Sequence, residues 1–249
     1  MRSLMLALFA MTLCSGHAMA DPSAWHVTTG ITPGWSDGKG KGFAHDVIRD
    51  FQLQTGESVQ LETFPLRRAI RLYLRNGTDC LLGGDAPAMN AFKPTEGIYS
   101  LPIRRGGIVI YSLAGTPPVH SLDEARQLRL GLEAGFDFQG ILELLPGISH
   151  EAASSESQIS KMRAGRIDAY VGLFPPSSDR GGQLSFDPKF MLMVWNDTLH
   201  CRTGKENEVL VEEFNKFVTT YSKSGELRRT FDKHFMPNAW VDPSSRIEK

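Results

Sequence analysis

The pentapeptide Gly34-Trp35-Ser36-Asp37-Gly38 has the form G-x-S-x-G, in which a serine on a sharp strand-to-helix turn can serve as an acyl-transfer nucleophile. That chemistry needs a helix directly after the serine. The residues that follow, Gly38-Lys39-Gly40-Lys41-Gly42, have little helix propensity, and they also lack the Gly-Lys-Ser/Thr ending of a phosphate loop. The histidines are scattered singly, without H-E-x-x-H or other paired ligand spacing, so neither a metal nor another cofactor is expected. Recognition chemistry is better represented. Trp35, on a glycine-rich loop, offers a flat apolar face and one N–H donor, suited to stacking on a ligand or to packing. Arg67, Arg68, Arg71 and Arg75 share one stripe of a helical segment, which reads overall as a solvated basic face. Arg67 and Arg68 fall in the first turn, where the helix dipole disfavours a cation and an anionic partner would offset the penalty.

The elements that must position these groups follow from periodicity. Trp25 to Thr29, Val59 to Phe64, Cys80 to Gly84 and Gly107 to Ser112 read as strands. Between them, Phe43, Val47, Ile48 and Phe51 recur at helical spacing, as do Leu66, Ile70, Tyr73 and Leu74. The stretch from Asp85 to Ser100 carries Pro87 and Pro94 and reads as a loop. After Pro117-Pro118 the alternation repeats: a short helix opening at Ser121, a strand over Leu128–Leu132, a helix over Phe136–Leu145, a strand over Ile148–Ala152, a helix over Ser155–Ala164 and a strand over Ile167–Phe174. Phe190 to Trp195 is β-like, and two helical segments follow from Asn207. This is an α/β pattern in two series. With 249 residues and a net charge of -1, the chain is long enough for two moderate cores and has no basic field for nucleic acid, so a small-molecule ligand is the expected partner.

Residues 1–20 combine Arg2, an apolar run from Leu4 to Leu13 and Ala18-Met19-Ala20, the three regions of a cleaved signal peptide, which predicts export to the periplasm. Cys14 follows the bulky Leu13, which disfavours a lipoprotein site. Removal of the signal leaves Cys80 and Cys201, and an even count in an oxidising compartment argues for a disulfide between them.

Several stretches in order resemble the bacterial periplasmic solute-binding proteins of family 3, the amino-acid-binding superfamily. Gly42-Phe43-Ala44-His45-Asp46-Val47-Ile48 is similar to that family's glycine-aromatic helix start, and Pro65-Leu66-Arg67-Arg68-Ala69 leading to Asn76-Gly77-Thr78-Asp79 to its proline-helix-glycine-x-Asp run. Ser121-Leu122 to Gly131, Gly135, Ala164-Gly165-Arg166-Ile167-Asp168-Ala169 and Ser224-Gly225-Glu226-Leu227 to Phe235 resemble the entry to its second lobe, a repeated turn and its closing helix. The resemblance implies the type II periplasmic binding fold: two α/β lobes, each a mostly parallel sheet with flanking helices, joined by two crossover strands. Lobe one would comprise 21–110 and a return segment 200–249, and lobe two 111–199. The strand after the second crossing would lie beside the one holding Cys80.

In that fold a ligand sits beyond the carboxyl ends of strands, between lobes that close by hinge motion. The residues so placed are Trp35, Phe64, Arg68, Asp85, Lys93, Gly135, Phe136 and Phe174. Arg68 matches an arginine that follows the proline in relatives, a bidentate donor to carboxylate or phosphate. Two departures argue against a standard α-amino acid: Ala91 or the displaced Lys93 stands where relatives carry a carboxylate-clamping arginine, and Leu173-Phe174 where they carry an aspartate for the α-amino group. The expected function is an exported monomeric receptor for a small polar or anionic molecule, working with the membrane permease of an ABC importer. The alternatives are a periplasmic sensory module and a cyclohexadienyl-dehydratase-like enzyme, for which Asp85 or Glu133 would be the acid.

Overall fold

The structure is a computed structural model and describes residues 24–84, 96–133, 141–148, 150–152, 154–177 and 182–245. The expected signal peptide, residues 1–20, lies outside them.

Three strands open the chain, β1 (Trp25–Ile31), β2 (Val59–Pro65) and β3 (Cys80–Gly84), with β1 paired in parallel to both of the others. Helix α1 (Phe43–Thr55) follows β1 and buries Phe43, Ala44, Val47, Ile48 and Phe51, the stripe that its spacing predicts, until Gly56 ends it in a left-handed conformation. Helix α2 (Leu66–Leu74) buries Ala69, Ile70 and Tyr73 and leaves its arginines on the other face.

The middle of the sheet is made by two long strands, β5 (Arg104–Leu113) and β10 (Met193–Arg202). Strand β10 pairs with β3 through Asp197–Cys201 and with β5 through Met193–Asp197, all antiparallel. Strand β5 pairs in turn with β8 (Ala169–Phe174) through Gly107–Tyr111. Beyond β8 lie β6 (Leu130–Glu133) and β7 (His150–Ala152), paired in parallel, giving the order β2-β1-β3-β10-β5-β8-β6-β7. Two short strands lie off this path: β4 (Gly97–Tyr99) pairs with β10 and β9 (Leu184–Ser185) with β5. Among the described residues, two mostly parallel half-sheets are therefore joined through the antiparallel ribbon of β5 and β10, with an isolated bridge between Ser177 and Phe235 beside it. The boundaries expected at 110/111 and 199/200 fall inside these two strands.

Helices α3 (Leu122–Ala125), α4 (Ile141–Leu144) and α5 (Ser155–Arg163) accompany the second half-sheet, and Ser121 and Ser154 cap α3 and α5 by accepting from backbone N–H groups. The chain then returns: α6 (Lys205–Lys223) and α7 (Glu226–His234) pack on α1 through edge-on rings, Phe51 against Phe214 and Phe217, and Phe43 against Phe231 and Phe235. Cys80 and Cys201 are joined by a disulfide across β3 and β10.

Some elements differ from their sequence reading. Strand β4 lies within the expected loop 85–100, because three residues between Pro94 and Pro102 are too few for a periodicity to show. Strand β10 continues seven residues past the point where the apolar run from Phe190 to Trp195 ends, because its backbone pairs with β3 through Asp197–Cys201 and Asp197 is held by Arg104.

Candidate functional site

Two cavities lie where the half-sheets meet. The larger, about 80 Å³, is lined by Gly30, Leu66, Ile70, Leu82, Leu173 and Trp195, among others, with Trp35, Arg104 and Asp197 completing its wall. The smaller, about 30 Å³, lies among Thr32 and Pro33 after β1, Tyr111 of β5, Ser155 at the start of α5, and Tyr170 to Ser177 of β8 and the turn after it. Both draw residues from the two halves of the sheet, and Arg104 borders both.

The position of Arg104 is set by the ribbon. Arg104 and Asp197 are register partners on β5 and β10, and Arg104 Nε donates to Asp197 Oδ2 at 2.7 Å. Both are buried, 8% and 3% exposed. The other carboxylate oxygen, Oδ1, accepts from Trp195 Nε1 at 3.2 Å. The guanidinium carbon sits 4.4 Å from the Trp35 ring centroid and 4.8 Å from that of Phe235, so two aromatic rings pack against the cation. Trp195 can lie where it does because its register partner is Gly106, whose missing Cβ would fall on the indole nitrogen.

Trp35 is 3% exposed and lines the larger cavity. Its N–H already donates to Thr29 Oγ1 at 2.7 Å, and the Thr29 hydroxyl donates to Leu82 O at 2.7 Å. Trp35 therefore presents ring surface to the cavity rather than a free donor. Phe174 lines the smaller cavity and packs edge-on against Phe186. Phe64 and Arg68 are brought together with each other, the Arg68 guanidinium 4.7 Å from the Phe64 ring centroid, but neither borders either of these two cavities, whereas Leu66 and Ile70 of the same helix line the larger one. Asp85, Lys93, Gly135 and Phe136 lie outside the described residues, as does the Glu133 side chain.

Other chemistry suggested by the motifs finds little support. Ser36 Oγ lies 3.1 Å from His45 Nε2, yet Ser36 is 1% exposed and borders neither cavity, so the pair ties the loop to α1 and presents no nucleophile. Burial lowers the His45 pKa. Among the described residues no group of three or more His, Cys, Asp or Glu side chains is placed to hold a metal ion.

Arg104 and Asp197 were missed by reading the sequence because they lie 93 positions apart and share no local pattern. The available signal was a charged residue within a few positions of the end of each of two apolar strand runs, at Arg104-Arg105 and at Asp197.

No protein-family model matches the chain, and no curated protein matches it in sequence. Solved structures do match it. The GluR0 ligand-binding core from Nostoc punctiforme, in complex with L-glutamate, is 16% identical, covers 86% of this chain and 99% of its own, and superposes with a TM-score of 0.64. Substrate-binding domain 2 of GlnP from Lactococcus lactis, in an open conformation, gives 16% identity, 88% and 98% coverage and a TM-score of 0.63. An ancestral cationic amino acid solute-binding protein gives 15%, 86%, 96% and 0.63. The likeness is one of fold: this chain has the type II periplasmic binding fold.

Proposed function

We propose that this chain is an exported solute-binding protein, akin to family 3, that captures a small polar or anionic molecule between two lobes and delivers it to the permease of an ABC importer. The observation that carries the reading is the placement of both cavities at the β5–β10 ribbon, lined from both half-sheets. Among the described residues two long strands carry the sheet from one half to the other, with a single bridge at Ser177 and Phe235 besides, so rotation about the ribbon changes the cleft while leaving each half's parallel pairing intact. The lobes are the two half-sheets with their helices, and the return segment belongs to the first. The disulfide supports an oxidising compartment, and the periplasm is the assigned location. The solute-binding and substrate-binding proteins that share the fold support a receptor over a dehydratase.

A thermal-shift screen of a metabolite library tests the reading, since a ligand that binds only the folded state raises the melting temperature. A compound that raises Tm and is recovered unchanged is the expected result. Conversion of the bound compound to product, or no shift from any metabolite, overturns it.

A further inference from the structure

We infer that Arg104 is the anion clamp of this cleft and that the ligand is a small carboxylic acid with an apolar body. The inference rests on the reading of the cleft as a ligand site and specifies its chemistry. A guanidinium carries five N–H donors in a planar fork. At Arg104 the Nε–H is committed to Asp197, and the rings of Trp35 and Phe235 lie against the guanidinium and hold it in place. Among the described residues neither terminal nitrogen donates a hydrogen bond, although the residue is 8% exposed and borders both cavities. Neither terminal nitrogen is among the fully buried atoms left without a partner, so both stay open to an incoming acceptor, and the fork they form is the geometry that a carboxylate satisfies with two parallel bonds.

The surroundings define the rest of the molecule. Around Arg104 the larger cavity is walled by Leu66, Ile70, Leu81, Leu82, Leu173 and Trp195, which suit a branched aliphatic or phenyl group. Among the described residues Asp197 is the carboxylate beside them, and both of its oxygens already accept, from Arg104 and from Trp195. An α-ammonium group therefore gains little there. An acid lacking the amino group fits the site better than the corresponding amino acid does.

The test is calorimetric titration and thermal shift of the full mature chain with isovalerate and phenylacetate, alongside leucine, phenylalanine, isoamylamine, phenethylamine and inorganic phosphate. The acids are expected to bind more tightly than the matching amino acids, with no binding of the amines or phosphate. Arg104→Lys keeps the charge but loses the fork, and is expected to weaken the acids on the order of ten- to a hundredfold. Should Arg104→Lys fail to fold, Arg104→Met with Asp197→Asn removes both buried charges together and is expected to abolish acid binding. Unchanged acid affinity in a folded Arg104 variant overturns the assignment, as does preference for amines, amino acids or phosphate. Binding of other metabolites with none of these acids overturns the clamp while leaving the receptor standing; no binding by any compound, metabolite library included, overturns the receptor itself.

Discussion

Cys80 and Cys201 stand opposite each other in the antiparallel register of β3 and β10, so the disulfide spans the ladder at the point where the returning chain rejoins the first half-sheet. The bridge closes a loop of 121 positions that contains the whole second half-sheet. Cross-linking so long a loop restricts the unfolded chain, and loss of a native disulfide costs about 2–5 kcal/mol. Urea unfolding of the oxidised protein against the Cys80→Ser, Cys201→Ser double variant is expected to show a loss in that range, with the far-UV spectrum of the folded state unchanged. Equal midpoints for the two proteins would show that the ladder alone holds the return strand.

Next to Cys201, His200 lies flat on Tyr99, ring centroids 4.0 Å apart at 8°, with Nε2 3.3 Å from the Tyr73 hydroxyl and Nδ1 without a partner among the described residues. Burial pushes its pKa down to about 4, against a value of about 6.5 in an unfolded chain. Between these values the unfolded state binds a proton that the folded state excludes. Stability is then complete above about pH 6.5 and falls as the pH drops toward 4, by up to about 3 kcal/mol. The urea midpoint of the wild type should fall between pH 7.5 and pH 5, and His200→Gln should remove most of that difference. An identical pH dependence in the variant would assign it to other groups.

Most of the first half-sheet was legible because its signals are local. The stripe of α1, the glycine that ends it and the length of β3 can be read within a dozen residues, and the cysteine pairing follows from a count. The cleft was not legible in the same way. Trp35 borders a cavity as its loop position suggests, but its donor is engaged by Thr29, a residue six positions earlier on β1. Arg68 follows the proline as in relatives and turns to Phe64, while the guanidinium that reaches the cavities belongs to Arg104, whose partner is fixed by a strand register. Register between distant strands leaves no periodic trace in either segment.

Gly106 tests how tightly the ribbon is packed at the cleft. A Cβ there meets the Trp195 indole, and Met193 O crowds a Cβ at Gly107 in the same way at 2.7 Å. Gly106→Val must displace the indole, which is itself 6% exposed and borders the larger cavity. Overpacking of this kind costs about 1–3 kcal/mol. The variant is expected to melt at lower temperature and to give a smaller Tm shift with any cleft ligand than the wild type does; wild-type values for both would mean that the indole has room to move.

The relay from Trp35 Nε1 through the Thr29 hydroxyl to Leu82 O joins the first loop, β1 and β3, and it orients the ring that lies 4.4 Å from the Arg104 guanidinium. Thr29 is fully buried. Thr29→Val preserves the shape of the side chain but removes both the acceptor for the indole and the donor for the carbonyl, leaving the buried Trp35 N–H unpaired. A buried donor without an acceptor costs about 1–3 kcal/mol. Thr29→Ser keeps the hydroxyl and loses only a methyl group. Thermal melts should therefore place Thr29→Val well below Thr29→Ser, and ligand affinity should follow the same order, because Trp35 freed from Thr29 no longer holds Arg104 in one orientation. Should valine and serine variants melt together, the cost comes from the methyl packing, and the relay contributes nothing to the wall of the cleft.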